Sequence, residues 1–66
     1  MVEDIGKRIK QRRMELDMTQ EALAQKSKVC RITISYLESG RTKNVLASTL
    51  SAIAEALETT VDFFLT

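Results

Sequence analysis

Apolar residues recur along this chain at intervals of three and four, the spacing of one face of a helix. Glycine occurs only at positions 6 and 40 and proline nowhere, so little interrupts that pattern. On a wheel of about 100° per residue centred on Ile9, Ile5 and Leu16 lie within about 40° of the origin, while Lys7, Lys10 and Gln11 fall on the far side. The spacing predicts an amphipathic helix from about Asp4, its N-cap, to about Leu16. Thr19 caps a second, short helix with Glu21 in its first turn, carried to about residue 26 by Ala22, Leu23 and Lys26. A third helix runs from Arg31 to Ser39 and stops at Gly40, a residue that takes positive φ without steric cost. A loop from Arg41 to about Ala47 leads to a fourth, marked by Leu50, Ile53, Ala54 and Leu57, with Ser48 or Thr49 as its cap. Thr60 caps a last turn, Val61 to Leu65, and the expected fold class is all-α with five helices.

Sixty-six residues give room for one domain, residues 1–66, because so short a chain leaves about 40% of its unfolded surface exposed on folding. At 44% hydrophobic and 29% charged residues, the chain is globular in composition rather than disordered. With no histidine and a single cysteine, Cys30, it has no material for a His-based triad, a Cys/His zinc site or an internal disulfide. Neither an enzyme nor a metal or cofactor protein is expected. One unpaired cysteine suits a reducing compartment, and the acidic start Met1-Val2-Glu3-Asp4 lacks the basic-then-apolar order of a secretory signal, so the cytoplasm is the expected location. No apolar run exceeds three residues, against the ~20 of a membrane-spanning helix, and no membrane partner is expected. Residues 1–43 carry all ten Lys and Arg against six acids, a net +4, whereas residues 44–66 carry three acids and no base, a net −3. A chain so divided can present one positive face to a polyanion, although an unevenly solvated surface has the same composition.

Two features go beyond the helical pattern. Arg13 lies about 40° from Ile9 on the apolar stripe of the first helix, where a lone guanidinium is costly to bury. In the third helix Glu38 lies about 40° from Ile34, turned inward by the same spacing. The two predict a buried Arg13–Glu38 ion pair that specifies how the helices meet; the alternative is that each side chain reaches solvent along its stem. The second feature is the opposite face of the third helix, where Ile32, Ser35, Tyr36 and Ser39 point away from Ile34 and Leu37, with Arg31 at the helix start. Arginine bonds guanine bidentately, an aliphatic group packs on the thymine methyl, and hydroxyls bond base edges or phosphates, so this face suits a DNA contact. In isolation it equally suits an Ile32–Tyr36 pair packed beneath a loop.

The stretch Thr19-Gln20-Glu21-Ala22-Leu23-Ala24, joined at fixed separation to Ile34-Ser35-Tyr36-Leu37-Glu38-Ser39-Gly40 and then Arg41-Thr42-Lys43-Asn44, resembles the helix-turn-helix of the XRE family. That family includes the lambdoid phage repressors and Cro proteins. Ile5-Gly6-Lys7-Arg8-Ile9 and Ala54-Glu55-Ala56-Leu57 with Thr60-Val61-Asp62 resemble its flanking helices, so nearly the whole chain is covered. The resemblance implies a compact five-helix, lambda-repressor-like DNA-binding domain whose helices 2 and 3 form the helix-turn-helix. It places Arg31, Ile32, Thr33, Ser35 and Tyr36 in the major groove, with Thr19, Gln20, Ser39, Arg41, Lys43 and Asn44 on phosphates. Arg13 and Glu38 match its buried ion pair.

Asp17, Lys28 and Glu58 stand where relatives often have glycine; if positive φ is kept there, Lys28 and Glu58 each cost about 1 kcal/mol. The segment from Arg41 to Ser48 is longer than in short phage relatives, Val45 replaces a frequent proline, and Cys30 occupies an N-cap that usually holds Ser or Thr. A single helix-turn-helix reads few base pairs, so the expected partner is double-stranded DNA bound by a homodimer on a palindromic operator. Val45, Leu46, Val61 and Phe63 are the candidate dimer residues, with Phe63 as a plain core residue the alternative. No small-molecule effector is expected. The competing function is a protein-interaction module such as an antitoxin, against which stands the basic character of Arg31, Arg41 and Lys43.

Overall fold

The computed structural model describes residues 5–41 and 46–65, the latter without the Leu65 side chain. Its five helices are α1 (Ile5–Glu15), α2 (Gln20–Ser27), α3 (Arg31–Ser39), α4 (Ala47–Ala56) and α5 (Val61–Leu65). Asp4, Lys43, Asn44 and Val45, each given a role above, lie outside the described residues.

Local chemistry accounts for most boundaries. The Thr19 hydroxyl accepts from the Ala22 amide at 3.0 Å, filling one of the donors a helix start leaves open. Three helices end in the same way. Met18 N donates to Arg13 O and Asp17 N to Met14 O at the end of α1; Arg41 N to Tyr36 O and Gly40 N to Leu37 O at the end of α3; Thr59 N to Ala54 O and Glu58 N to Glu55 O at the end of α4. Each is a Schellman motif, which requires left-handed backbone at the residue after the helix. Gly40 supplies it freely at φ 80°, but Asp17 (φ 56°) and Glu58 (φ 57°) supply it against their Cβ atoms, as Lys28 (φ 61°) does after α2. The departures from glycine thus leave the backbone in place and store strain in it.

The fourth helix departs from the expectation of a Ser48 or Thr49 cap. It begins at Ala47, and the cap position is Leu46, extended at φ −68°, ψ 145°, whose carbonyl accepts from Leu50 N at 2.9 Å. That bond is the ordinary first bond of a helix, and Ser48 and Thr49 stand inside the first turn rather than before it.

The helices enclose one core of Ile5, Ile9, Leu23, Ile34, Leu37, Leu50, Ile53, Ala54, Ala56, Leu57 and Phe64. Every helix contributes, so none buries its apolar face alone. α1 packs on α3 and α5, α2 on α3 and α4, and α4 on α5. One contact sets the α1–α3 distance: a Cβ on Gly6 would stand 1.8 Å from the Leu37 carbonyl oxygen and 2.7 Å from its carbon. Only glycine lets the start of α1 lie against the backbone of α3. Across the molecule, Arg12 Nε donates to the Leu57 carbonyl at 2.9 Å, satisfying an acceptor that the end of α4 leaves open.

Candidate nucleic-acid interface

The inner side of α3 is fixed by a charged cluster. Arg13 Nε and Nη2 donate to the two Glu38 oxygens at 2.8 and 2.9 Å, the bidentate geometry in which this pair is strongest. Gln20 Nε2 donates to Glu38 Oε1 at 3.1 Å, and Arg13 Nη1 donates to the Met18 carbonyl at 2.6 Å. The side chains are 12% and 4% exposed, so snorkelling does not describe either. The hydrogen bond to Glu38 raises the Arg13 guanidinium above its ordinary value; burial works against the rise and the carboxylate's charge adds to it. One carboxylate therefore ties α1, the start of α2 and the end of α3 together. The turn between α2 and α3 is held from within, where the buried Ser27 hydroxyl donates to the Leu23 carbonyl at 2.7 Å and accepts from Val29 N at 3.3 Å.

The outer side of α3 faces solvent. Arg31, Ile32 and Tyr36 are exposed, the last two at 56% and 43%, and Thr33 and Ser35 are half-buried beside them. Among the described residues, no loop covers Ile32 and Tyr36 to the extent that the packed alternative needs. At the start of the helix Cys30 is the cap residue, exposed and, among the described residues, without a side-chain capping bond. At its end the Ser39 hydroxyl donates to the Tyr36 carbonyl at 3.1 Å, and the Arg41 guanidinium lies 5.5 Å from the Tyr36 ring centroid. Thr19 and Arg41 are exposed; Gln20 is half-buried because its amide is turned to Glu38.

The three dimer candidates among the described residues, Leu46, Val61 and Phe63, differ in exposure. Leu46 is 73% exposed, whereas Val61 and Phe63 are half-buried against the core. Phe63 packs edge-on to Phe64 at 5.6 Å, and the Arg8 guanidinium lies 5.6 Å from its ring centroid.

Sequence reading did not identify Gly6 as a spacer, Arg12 as the partner of the α4 terminus, or Ser27 as the internal tie of the turn. Gly6 left a trace, since glycine near the start of an amphipathic helix loses stability unless something needs the space.

Two helices joined by a tight turn, one braced by a buried ion pair and showing an exposed, arginine-bearing face, define a helix-turn-helix domain. The sequence pattern of the helix-turn-helix family matches residues 9–64. The chain belongs to this family, in its XRE type, a family of DNA-binding regulators not known as enzymes. No curated protein and no solved structure matches it significantly. Among the described residues, no helix is long and apolar enough to cross a membrane.

Proposed function

We propose that residues 1–66 are a single DNA-binding domain acting in the cytoplasm as a sequence-specific transcriptional regulator. It occupies a palindromic operator as a homodimer, with α3 of each copy in the major groove, and blocks or recruits polymerase by its presence there. The observation that carries the reading is the division of α3: Glu38 is locked inward by Arg13 and Gln20, while Ile32 and Tyr36 stand exposed on the opposite face and Arg31 is exposed at the helix start between the two. A helix held that firmly on one side presents the other in fixed register. Arg31 suits a guanine edge, Ile32 a thymine methyl, and Thr33 and Ser35 base edges or phosphates. Thr19, Gln20, Ser39 and Arg41 flank that face, as phosphate contacts must, and Lys43 and Asn44 continue it in sequence.

Each copy offers one recognition helix in a body 25 Å long, and half-sites lie about 34 Å apart, so two copies are needed to read both. The dimer contact is assigned to Val45, Leu46, Val61 and Phe63, of which Leu46 is the strongly exposed member among the described residues.

Selection of bound duplexes from a random pool tests the reading, with affinities for the enriched and for random sequences taken at two salt concentrations. The expected result is a palindrome with half-sites one turn apart, bound far more tightly than random DNA. If nothing is enriched and weak binding disappears as salt rises, the operator reading fails and a protein partner takes its place.

A further inference from the structure

We infer that Tyr36 and Arg41 act as one unit, in which the Tyr36 ring is the platform that holds the Arg41 guanidinium toward a DNA phosphate. This replaces the base contact that the resemblance gives Tyr36, and it rests on the DNA-binding reading above. Three observations converge on residue 36. The Arg41 guanidinium lies 5.5 Å from its ring centroid. Its carbonyl accepts from the Arg41 amide at 2.9 Å and from the Ser39 hydroxyl at 3.1 Å. Gly40, at φ 80°, makes the turn that carries residue 41 back over residue 36. The second residue beyond the recognition helix is thus fixed through both its backbone and its side chain by the same tyrosine.

The chemistry selects a phosphate. A guanidinium held over a ring by a cation–π contact keeps N–H donors free, and its planar fork matches phosphate oxygens. Occupation of the ring by a cation leaves the tyrosine little face for stacking on a base. Tyr36 is 43% exposed and Arg41 is exposed, so the pair meets solvent, and therefore DNA, without rearrangement. Holding the arginine in one arrangement before binding reduces the entropy lost when the contact forms.

The test measures binding to the selected operator and to random duplex, at two salt concentrations, for the native chain, Tyr36→Phe, Tyr36→Leu, Arg41→Ala and the Tyr36→Leu/Arg41→Ala double variant. Leucine is chosen because it fills comparable space without a π face. In the free protein, the ring-current shift on the Arg41 δ protons reports the stacking independently of DNA. Tyr36→Phe should bind as the native chain does. Tyr36→Leu should lose about two- to fivefold on both duplexes alike and abolish the ring-current shift. Arg41→Ala should lower the salt slope by about one, and adding Tyr36→Leu to it should cost nothing further.

A changed sequence preference in Tyr36→Leu, a loss in Tyr36→Phe, or the full leucine cost persisting without Arg41 would each overturn the inference. If the native chain shows the ring-current shift but binds no duplex, the DNA reading falls and the phosphate role with it. If it binds duplex but shows no shift, the stacked pair alone falls.

Discussion

Replacing Gly6 with alanine sets two effects of opposite sign against each other. Helix propensity favours alanine by up to about 1 kcal/mol, and by less here because Gly6 is the second residue of α1. Against it stands a Cβ placed 1.8 Å from the Leu37 oxygen, 2.7 Å from the Leu37 carbon and 3.1 Å from the Glu38 Cα. All three are backbone atoms, so no rotamer change relieves the overlap. An ordinary contact needs about 3.5 Å, and α1 must withdraw from the end of α3 by about 1.5 Å. Withdrawal pulls Ile5 and Ile9 from the core and stretches the Arg13–Glu38 bonds, which lie on the same two helices. Overpacking costs about 1 to 3 kcal/mol where side chains can adjust, and here they cannot, so the net loss expected is about 2 to 3 kcal/mol. In a domain of this size that lowers the melting temperature by about 10 to 20 °C. Thermal unfolding followed by far-ultraviolet circular dichroism measures it, with the exposed neighbour Lys7→Ala as the control that changes propensity alone. A Gly6→Ala variant melting at or above the native temperature would refute the close-approach argument.

Five further outcomes follow from the structure. Lys28→Gly removes left-handed strain of about 1 to 2 kcal/mol, partly offset by the greater freedom of the unfolded chain, and should raise stability by about 0.5 to 1 kcal/mol in urea titration; Asp17→Gly should gain less, since aspartate tolerates that region better. Glu38→Leu leaves Arg13 buried without its carboxylate and should cost about 3 to 5 kcal/mol, most of which Arg13→Met/Glu38→Leu should restore; equal instability of the two would show that the pair is more than a replaceable charge match. Because the folded guanidinium is raised, its contribution is complete at neutral pH and is lost only as pH climbs through that raised value, so Arg13 itself should add no slope to stability near neutrality. Cys30→Ser supplies the capping oxygen that sulfur does not and should add about 0.5 to 1 kcal/mol, read by denaturant midpoint under reducing conditions. Arg31→Ala should cost about 1 to 3 kcal/mol at one operator base pair and leave random duplex nearly unaffected; equal loss on both would remove Arg31 from the base-reading set.

The helices were legible where side chains make the decision locally. Thr19 and Gly40 mark their boundaries by chemistry that needs no partner, and the inward angles of Arg13 and Glu38 follow from periodicity alone. The local pattern is ambiguous from Ile32 to Tyr36, where apolar and polar residues alternate as they would in a strand. There Gly40 and the burial of Ile34 and Leu37 against other helices decide for the helix. What sequence could not show is contact between residues far apart along the chain. Gly6 is needed because of a carbonyl 31 positions later, and Arg12 serves a helix terminus 45 positions away. The start of α4 carries no such local signal: its cap falls on Leu46, which has no capping side chain, and Ser48 and Thr49 lie within the first turn.

The two ends of α3 are held unequally, and the inequality matches the division of labour proposed for them. The C-terminal end is bound to α1 by the Gly6 approach, to α1 and α2 through Glu38, and to its own following residue through Tyr36, Gly40 and Arg41. The N-terminal end has the Cys30 cap without its hydrogen bond and a preceding turn strained at Lys28. Phosphate contacts gain from rigidity, because a helix must be set against the DNA backbone before its side chains can compare base pairs. The side chains proposed to read bases, Arg31, Ile32 and Thr33, lie at the end whose cap makes no side-chain hydrogen bond. On the proposed function, the firm end would fix register and the other end complete recognition. Tightening the looser end with a serine at position 30 therefore tests more than a cap: if the first turn adjusts on binding, the added stability of the free protein should not reappear as tighter operator binding.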